Sequence, residues 1–369
     1  MRRLLGPLLL VLLVVGVGYG IYRSTSTSLS NRRAVEVRGL VGSEKLTFLT
    51  DPRVLAELHK HGIDLKVEKS GSREMAARPD LNKYDFAFPA GAPAATKIMQ
   101  QTGAKKFYNP FFSPMAIATW RPIVAVLTAN GLATRTADST TVLDVHKMLA
   151  MMKKGTRWKD LAQNNAYPIG KTILINTTDI RTSNSAAMYL ALMSYVANGD
   201  NVVQTDQAVQ RVAPVIAPLF SRQGYQESST AGPFEDYLTM GMGKSPLVMI
   251  YEQQFIEHVM EHATLNPDMV LLYPSPGIYT KHTLIPLDAK GDSLGRLLEE
   301  DPVLLQLANE FGLRTQDATY ATKIWTAKGL KVPAQLLDVV DPPNYDIIEQ
   351  LITAITKSGG CANADSTCS

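Results

Sequence analysis

The sequence predicts an α/β fold of two lobes facing each other across a cleft, and three observations predict it. In the N-terminal third, short apolar segments end in small residues and then pass into helical segments, the rhythm of a parallel sheet with crossover helices. Ile173–Tyr189 reads as an apolar strand, a polar turn, and a Ser-Asn-Ser that opens a helix. That order gathers hydroxyls, an amide and free helix N–H groups at one point, where small polar or anionic ligands can be held. Lys69–Met75 (Lys-Ser-Gly-Ser-Arg-Glu-Met) repeats the arrangement well upstream, so each lobe carries one such point.

The elements follow in order. Ala34–Leu40 is a first strand, and Gly42-Ser43-Glu44 caps a helix running to about Gly62, with a restart at Asp51-Pro52. Leu65–Glu68 and Tyr84–Phe88 are short strands, the latter ended by Pro89-Ala90-Gly91 before a helix to about Gly103. Ser113–Leu127 is a long extended run bent at Pro122, fit to pass from one lobe to the other. Thr141–Lys153 is an amphipathic helix and Lys171–Asn176 a buried strand. Helices are expected over 183–198 and 201–220, a strand at 246–250 and a second long connection at 269–273. Leu298–Gly312, with an acidic start, and Ile347–Lys357 complete the helices.

Composition removes several classes of function. With 369 residues the chain exceeds one typical domain. Hydrophobic content of 45% and charged content of 19% are those of a globular protein with ample core. The net charge of +3 comes from scattered basic residues, so no nucleic-acid partner is expected. No nucleophile elbow, phosphate-binding loop or paired carboxylates stand out, so no catalytic residue, cofactor or metal is expected and the protein is not read as an enzyme. His258 and His262 lie four apart beside Glu257 and Glu261, a spacing able to bind metal. The zincin pattern is broken because Val259 follows His258, and a solvated helix face is the plainer reading.

The N-terminus departs from the average. Arg2-Arg3 precedes an uncharged apolar run up to Arg23, long enough for a transmembrane helix with the following domain outside the cytoplasm. A cleaved signal peptide is the competing reading, and both put the domain in the same compartment. The predicted organisation is therefore an anchor or signal over 1–23, a Ser/Thr-rich linker over 24–34, lobe 1 over 35–121 and 270–357, and lobe 2 over 122–269. A polar tail over 358–369 holds Cys361 and Cys368. These cysteines fit either a small disulfide loop or inert thiols in a frayed end.

Taken together, the motifs resemble those of the type-2 periplasmic solute-binding proteins, the extracytoplasmic ligand-catching components of ABC importers. The stretches that carry the resemblance are Gly42–Lys45, Lys69–Ser72, Phe88–Gly91, Thr178-Asp179, Ser183–Ser185, Val270–Pro274 and Phe311–Arg314, spread over Val35 to Lys357. The sequence is similar in particular to bacterial solute-binding proteins sometimes found with von Willebrand A-type domains, although no metal-binding Asp-x-Ser-x-Ser is present. The resemblance implies two α/β lobes, two crossover strands, a discontinuous first lobe and hinge closure over a small-molecule ligand. It maps ligand contacts onto Ser43, Ser70, Gly71, Ser72, Gly91, Asp179, Ser183, Asn184 and Ser185. Arg73 and Arg181 are candidates for the arginine clamp of oxyanion binders, and Tyr251 stands at a strand end facing the cleft. Each residue also has a plainer role: Ser and Asn as helix caps, Asp179 as an Asx turn, the arginines as solvated surface. The expected function is capture of a small polar or anionic solute for uptake or sensing, with an ABC permease or envelope protein as partner. The alternative is a membrane-anchored envelope interaction or assembly protein that keeps the bilobal fold without ligand capture.

Overall fold

The computed structural model describes residues 34–262, 266–333 and 338–361, with side chains up to 357. The expected anchor, nearly all of the linker, Cys368 and the side chain of Cys361 lie outside the described residues. Among the described residues no helix is long and apolar enough to cross a membrane.

Nine strands form one mixed sheet in the order β2-β1-β3-β9-β4-β8-β6-β5, with β7 also pairing to β4. The strands β1 (Val35–Val41), β2 (Ile63–Lys69) and β3 (Phe86–Phe88) are parallel neighbours. Helices α1 (Leu46–Thr50), α2 (Pro52–Lys60) and α3 (Ser72–Ala77) connect them. Helix α2 starts where the sequence places its restart: Asp51 Oδ1 accepts from Arg53 N at 2.8 Å, and Pro52 occupies the first turn, where no N–H is missed. Helix α4 (Ala92–Thr102) follows β3.

Strand β4 (Tyr108–Trp120) organises the molecule. Its first half, to Pro114, pairs with β9 (Tyr279–Pro286). From Met115 onward it pairs instead with β7 (Leu247–Tyr251) and β8 (Met269–Ser275). The core divides at the same place. One apolar cluster packs Val37, Phe48, Phe86, Phe111 and Leu313 between the N-terminal strands and their helices. A larger one surrounds α7 (Asn184–Ala197), whose residues Ser185 to Ser194 are all buried. An all-round apolar helix of this kind is a core helix rather than an amphipathic surface one.

Four expectations of the sequence need correction. The extended run at 113–127 ends at Trp120 and becomes helix α5 (Arg121–Ala129), because Pro122 falls in a helix first turn, where it is favoured. Thr141–Lys153 splits into strand β6 (Thr141–Asp144), paired with β5 (Ala133–Arg135), and helix α6 (Val145–Lys154), capped by Asp144 through Lys147 N at 3.0 Å. Lys171–Asn176 is not a regular strand. Its buried Ile173 and Ile175 are held by isolated bridges at either end, Thr172 to Arg157 and Asn176 to Val248. The helix expected from Leu298 to Gly312 belongs to two helices, α11 (Ala289–Glu300) and α12 (Pro302–Glu310). Asp301 restarts the chain by accepting from Val303 N and Leu304 N at 2.9 and 3.0 Å.

Helix α8 (Asp206–Ser221) and the last helix, α14 (Tyr345–Cys361), pack together. Ile347, Ile348, Leu351, Ile352 and Ile355 join the larger cluster, each worth roughly 2 kcal/mol in burial. Residues 347–355 and the strand at 269–275 pack with the larger cluster, although the sequence groups them with the first lobe, while Tyr345 packs against Leu40, Met75 and Ile98. The remaining helices are α9 (Ala231–Met240), α10 (Glu252–Glu261) and α13 (Ala318–Ala327).

Candidate functional site

The carboxyl ends of β1, β2 and β3 meet the start of α7 and the end of β7 in a buried polar cluster. Its centre is Lys45, fully buried one turn past β1. Its Nζ contacts the Glu44 carboxylate, lies 3.2 Å from His282 Nδ1, and sits 4.8 Å from the centroid of Phe88. A buried ammonium is stable only when paired in this way. Burial pushes the Glu44 carboxyl up, but Lys45 and His282 outweigh it and hold the group well below the usual carboxylate range. Burial pulls the Lys45 ammonium down against the opposing pull of Glu44. Burial and the Lys45 charge together lower His282 to about 4, so it is a neutral ring at ordinary pH. Two buried atoms here have no hydrogen-bond partner, His282 Nε2 and Ser70 Oγ.

Most of the residues singled out in sequence are engaged with one another. Ser72 Oγ accepts from Ala90 N at 2.8 Å, tying the β2 tip to the β3 tip. Gly91 has a φ of +109°, and a Cβ there would fall 2.8 Å from Asn184 Oδ1, so only glycine lets α7 approach this closely. A Cβ on Gly71 would stand 3.4 Å from Thr182 O. Asn184 Nδ2 donates to Tyr251 Oη at 3.2 Å. Ser183 occupies the N-cap position of α7, but its hydroxyl bonds Thr178 at 2.7 Å and Ser185 at 2.9 Å instead of a helix N–H. Asp179 forms the Asx turn, accepting from Arg181 N at 2.8 Å, and the Arg181 guanidinium holds its carboxyl below the usual range.

The two arginines offered for an oxyanion clamp make contacts within the chain. Arg73 is bidentate to Glu349, at 3.0 and 2.7 Å, and also donates to Ile180 O. Arg181 is paired with Asp179 through Nε at 2.9 Å. Both guanidinium groups have carboxylate partners within the chain, Arg73 in a part-buried pair and Arg181 in a largely exposed one.

An open cavity of about 540 Å³ adjoins this cluster. Ser43 and Glu44 come from the first core's side, Ser229 and Phe234 from the loop and helix before β7, and Gln253, Glu257 and His258 from α10. Ser43 Oγ lies 3.5 Å from Ser229 Oγ across it. Of the eleven residues expected to touch ligand, Ser43 lines this cavity and the other ten do not. Gln253 spans the junction, donating from Nε2 to Glu44 O at 2.7 Å and to Glu257 Oε2 at 3.2 Å. Burial, and then the Glu261 charge, push the Glu257 carboxyl up to about 7. Burial, and then His262, lower the His258 imidazole below its ordinary value. Gln253 and Ser229 escaped sequence reasoning. A signal for the first was present, since Gln253, Glu257 and Glu261 recur every four residues and so share one helix face.

A larger cavity, about 1050 Å³, is lined only by residues between Trp158 and Pro246. No strand tip of the N-terminal half reaches it, so it is not shared between the two cores. Among the described residues, Glu57, His61 and Asp301 form a group compact enough to ligate a metal. They join α2 to the start of α12, with His61 Nε2 3.0 Å from Asp301 Oδ2, and none of them lines the cavity.

The fold recurs in solved structures. Apo ferric ion-binding protein A of Pasteurella haemolytica matches with a TM-score of 0.57 at 10% identity, over 90% of this chain and 99% of that one. A periplasmic thiamin binding protein matches with a TM-score of 0.55 at 12% identity, over 88% and 96%. The substrate binding protein of an ABC transporter from Agrobacterium tumefaciens matches with a TM-score of 0.54 at 14% identity, over 89% and 96%. At these identities the likeness shows a shared fold: the chain has the mixed α/β architecture of periplasmic solute-binding proteins. No family model and no curated protein matches the sequence.

Proposed function

We propose that the protein is an extracytoplasmic solute-binding protein of the type-2 kind, closing two lobes over a small polar ligand. The lobes divide where β4 changes partners, near Met115, and the chain returns between β8 and β9. The observation that carries the reading is the cavity shared by Ser43–Glu44, Ser229 and α10, directly beside the cluster of strand tips. Open α/β sheets bind ligands beyond the carboxyl ends of their strands, which is where this cavity sits. The segment 1–23 would tether the domain to the membrane or direct its export, and an ABC permease or envelope protein would receive the ligand or the closed form.

Self-satisfied contacts such as Arg73–Glu349 and the Thr178–Ser183–Ser185 triangle also suit the alternative, an envelope interaction protein without ligand capture. The open cavity, with Ser, Thr, Gln and Glu side chains among its lining, favours capture. Ligand that binds only the folded state raises stability by about 2.7 kcal/mol at a hundredfold excess over Kd, so the purified protein should melt higher with its ligand. An unchanged Tm across a broad panel of amines, amino acids, sugars, anions and metals would overturn the reading in favour of the alternative.

A further inference from the structure

We propose that a groove between α5, the start of β8 and the segment after α13 binds an anionic amphiphile, an acyl chain headed by a carboxylate. The proposal goes beyond the solute-binding reading, because this groove shares no lining residue with the cavity beside α10. Its volume is about 520 Å³, within the range of small-molecule sites.

The charge of the rim has one sign. Arg121, Arg135, Lys328 and Lys331 line the groove, all four are exposed, and among the described residues none has a carboxylate partner. No aspartate or glutamate lines it, whereas both cavities described above have carboxylates in their walls. Asp138 and Asp268 stand in the adjoining turns but outside the lining. The Asp138 carboxylate is taken up within its own turn, accepting from Thr140 N at 3.1 Å and Thr140 Oγ1 at 2.8 Å. Arg121 Nε donates to Pro267 O at 2.6 Å, which fixes the side chain at the rim and leaves its terminal nitrogens unbonded. Lys328 Nζ reaches only a carbonyl, Met260 O, at 3.3 Å. Four like charges around one opening repel one another, and a carboxylate among them relieves that repulsion while accepting charge-assisted hydrogen bonds.

The floor is the second, independent observation. Val124, Met269, Leu271 and Leu330 are half-buried there and border on the larger core cluster. The exposed large apolar side chains of the described residues, Val35, Phe107, Tyr225, Met240 and Val303, all lie elsewhere. The apolar surface of the groove is thus recessed beneath a charged rim, a shape that admits a chain and offers no protruding anchor to a protein partner. A head that pairs with the rim and a tail that covers the floor use both features. A small inorganic anion would leave the floor wet, and a cationic amphiphile would meet like charge.

Isothermal titration of the full-length protein with hexanoate, octanoate and decanoate tests the proposal. Acetate isolates the head, octylamine reverses its charge, and a hexaglutamate peptide stands for an acidic protein segment. We expect saturable one-to-one binding of the acyl anions, tightening roughly four- to fifteenfold with each two-carbon extension as methylenes leave water. The double variant Arg135→Glu with Lys331→Glu should weaken octanoate roughly tenfold or more. Lys171→Gln, in the larger cavity, should leave it unchanged. Circular dichroism of each variant confirms folding. Acetate binding as tightly as octanoate would overturn the proposal and reduce the groove to surface charge. Octylamine binding equally well would overturn it by showing apolar burial alone. Tighter binding of hexaglutamate would overturn it in favour of an acidic protein partner, and so would the absence of binding, or indifference to the double variant, without any replacement. Each of these failures leaves the solute-binding reading standing, since that reading concerns a different cavity.

Discussion

Helix α10 carries two carboxylates near its buried side with opposite surroundings. Glu252, fully buried, accepts from Arg314 Nε at 2.6 Å and Nη2 at 2.9 Å, and from Tyr273 Oη at 2.6 Å. Arg314 is further anchored on Pro333 O at 2.8 Å. Glu257, one and a half turns on, has only amide and hydroxyl partners, Gln253 and Thr47, and a like charge in Glu261. The first arrangement is closed and structural. The second is a carboxyl that burial and a like charge push toward its neutral form. The contrast teaches that burial alone does not mark a site in this fold: both carboxylates are desolvated, and the difference lies in whether the chain supplies the cation.

The largest expected effect comes from breaking the closed pair. Arg314→Ala leaves Glu252 charged and buried without its partner and should cost about 3–5 kcal/mol in denaturant unfolding. A loss under about 1 kcal/mol would erase the distinction between the two carboxylates. Tyr273→Phe removes one hydrogen bond to the same charged group, and about 1.5–3 kcal/mol should disappear from the same measurement.

The open group should respond in the opposite sense. Its carboxyl sits at about 7 in the folded protein and near the ordinary glutamate value when unfolded. Below the unfolded value both states are protonated and nothing is at stake. Between that value and about 7 the unfolded chain is ionised while the folded one still holds its proton, so stability falls with rising pH and levels off above about 7. Glu257→Gln should therefore be more stable than the native chain by roughly 1–3 kcal/mol at pH 8, with the difference vanishing near pH 4. Thermal melts across that range would show it, and a pH-independent difference would contradict it. Glu261→Gln sharpens the point with the smallest effect. Removing the exposed neighbour should lower the Glu257 titration, read by NMR, by well under about 1 unit, since solvent screens the pair.

Much of the fold was legible in the sequence because the relevant signals are local. The Asp51-Pro52 restart, the βαβ rhythm of the N-terminal strands and the glycine after β3 all act within a few residues. The failures were of two kinds. Pro122 reads as a bend in an extended run or as the first turn of a helix, and only the apolar neighbours packed on α5 decide between them. Leu298–Gly312 hid a break because Asp301 caps as readily as it starts an acidic turn.

The candidate site was less legible. Ser72 bonds Ala90 and Asn184 bonds Tyr251 beside an unpartnered Ser70 hydroxyl, and Arg73 finds Glu349 from the far end of the chain. Lys45 attracted no attention as a residue, because nothing next to it in sequence announces a fully buried ammonium.

The sequence by itself determined many of the strands and helices and where several of them stop, since propensity, capping and periodicity are written in neighbouring residues. Only the tertiary structure decided which charges find partners inside the chain. Pairing depends on distances between residues far apart in sequence, and burial multiplies the strength of whatever pairing results.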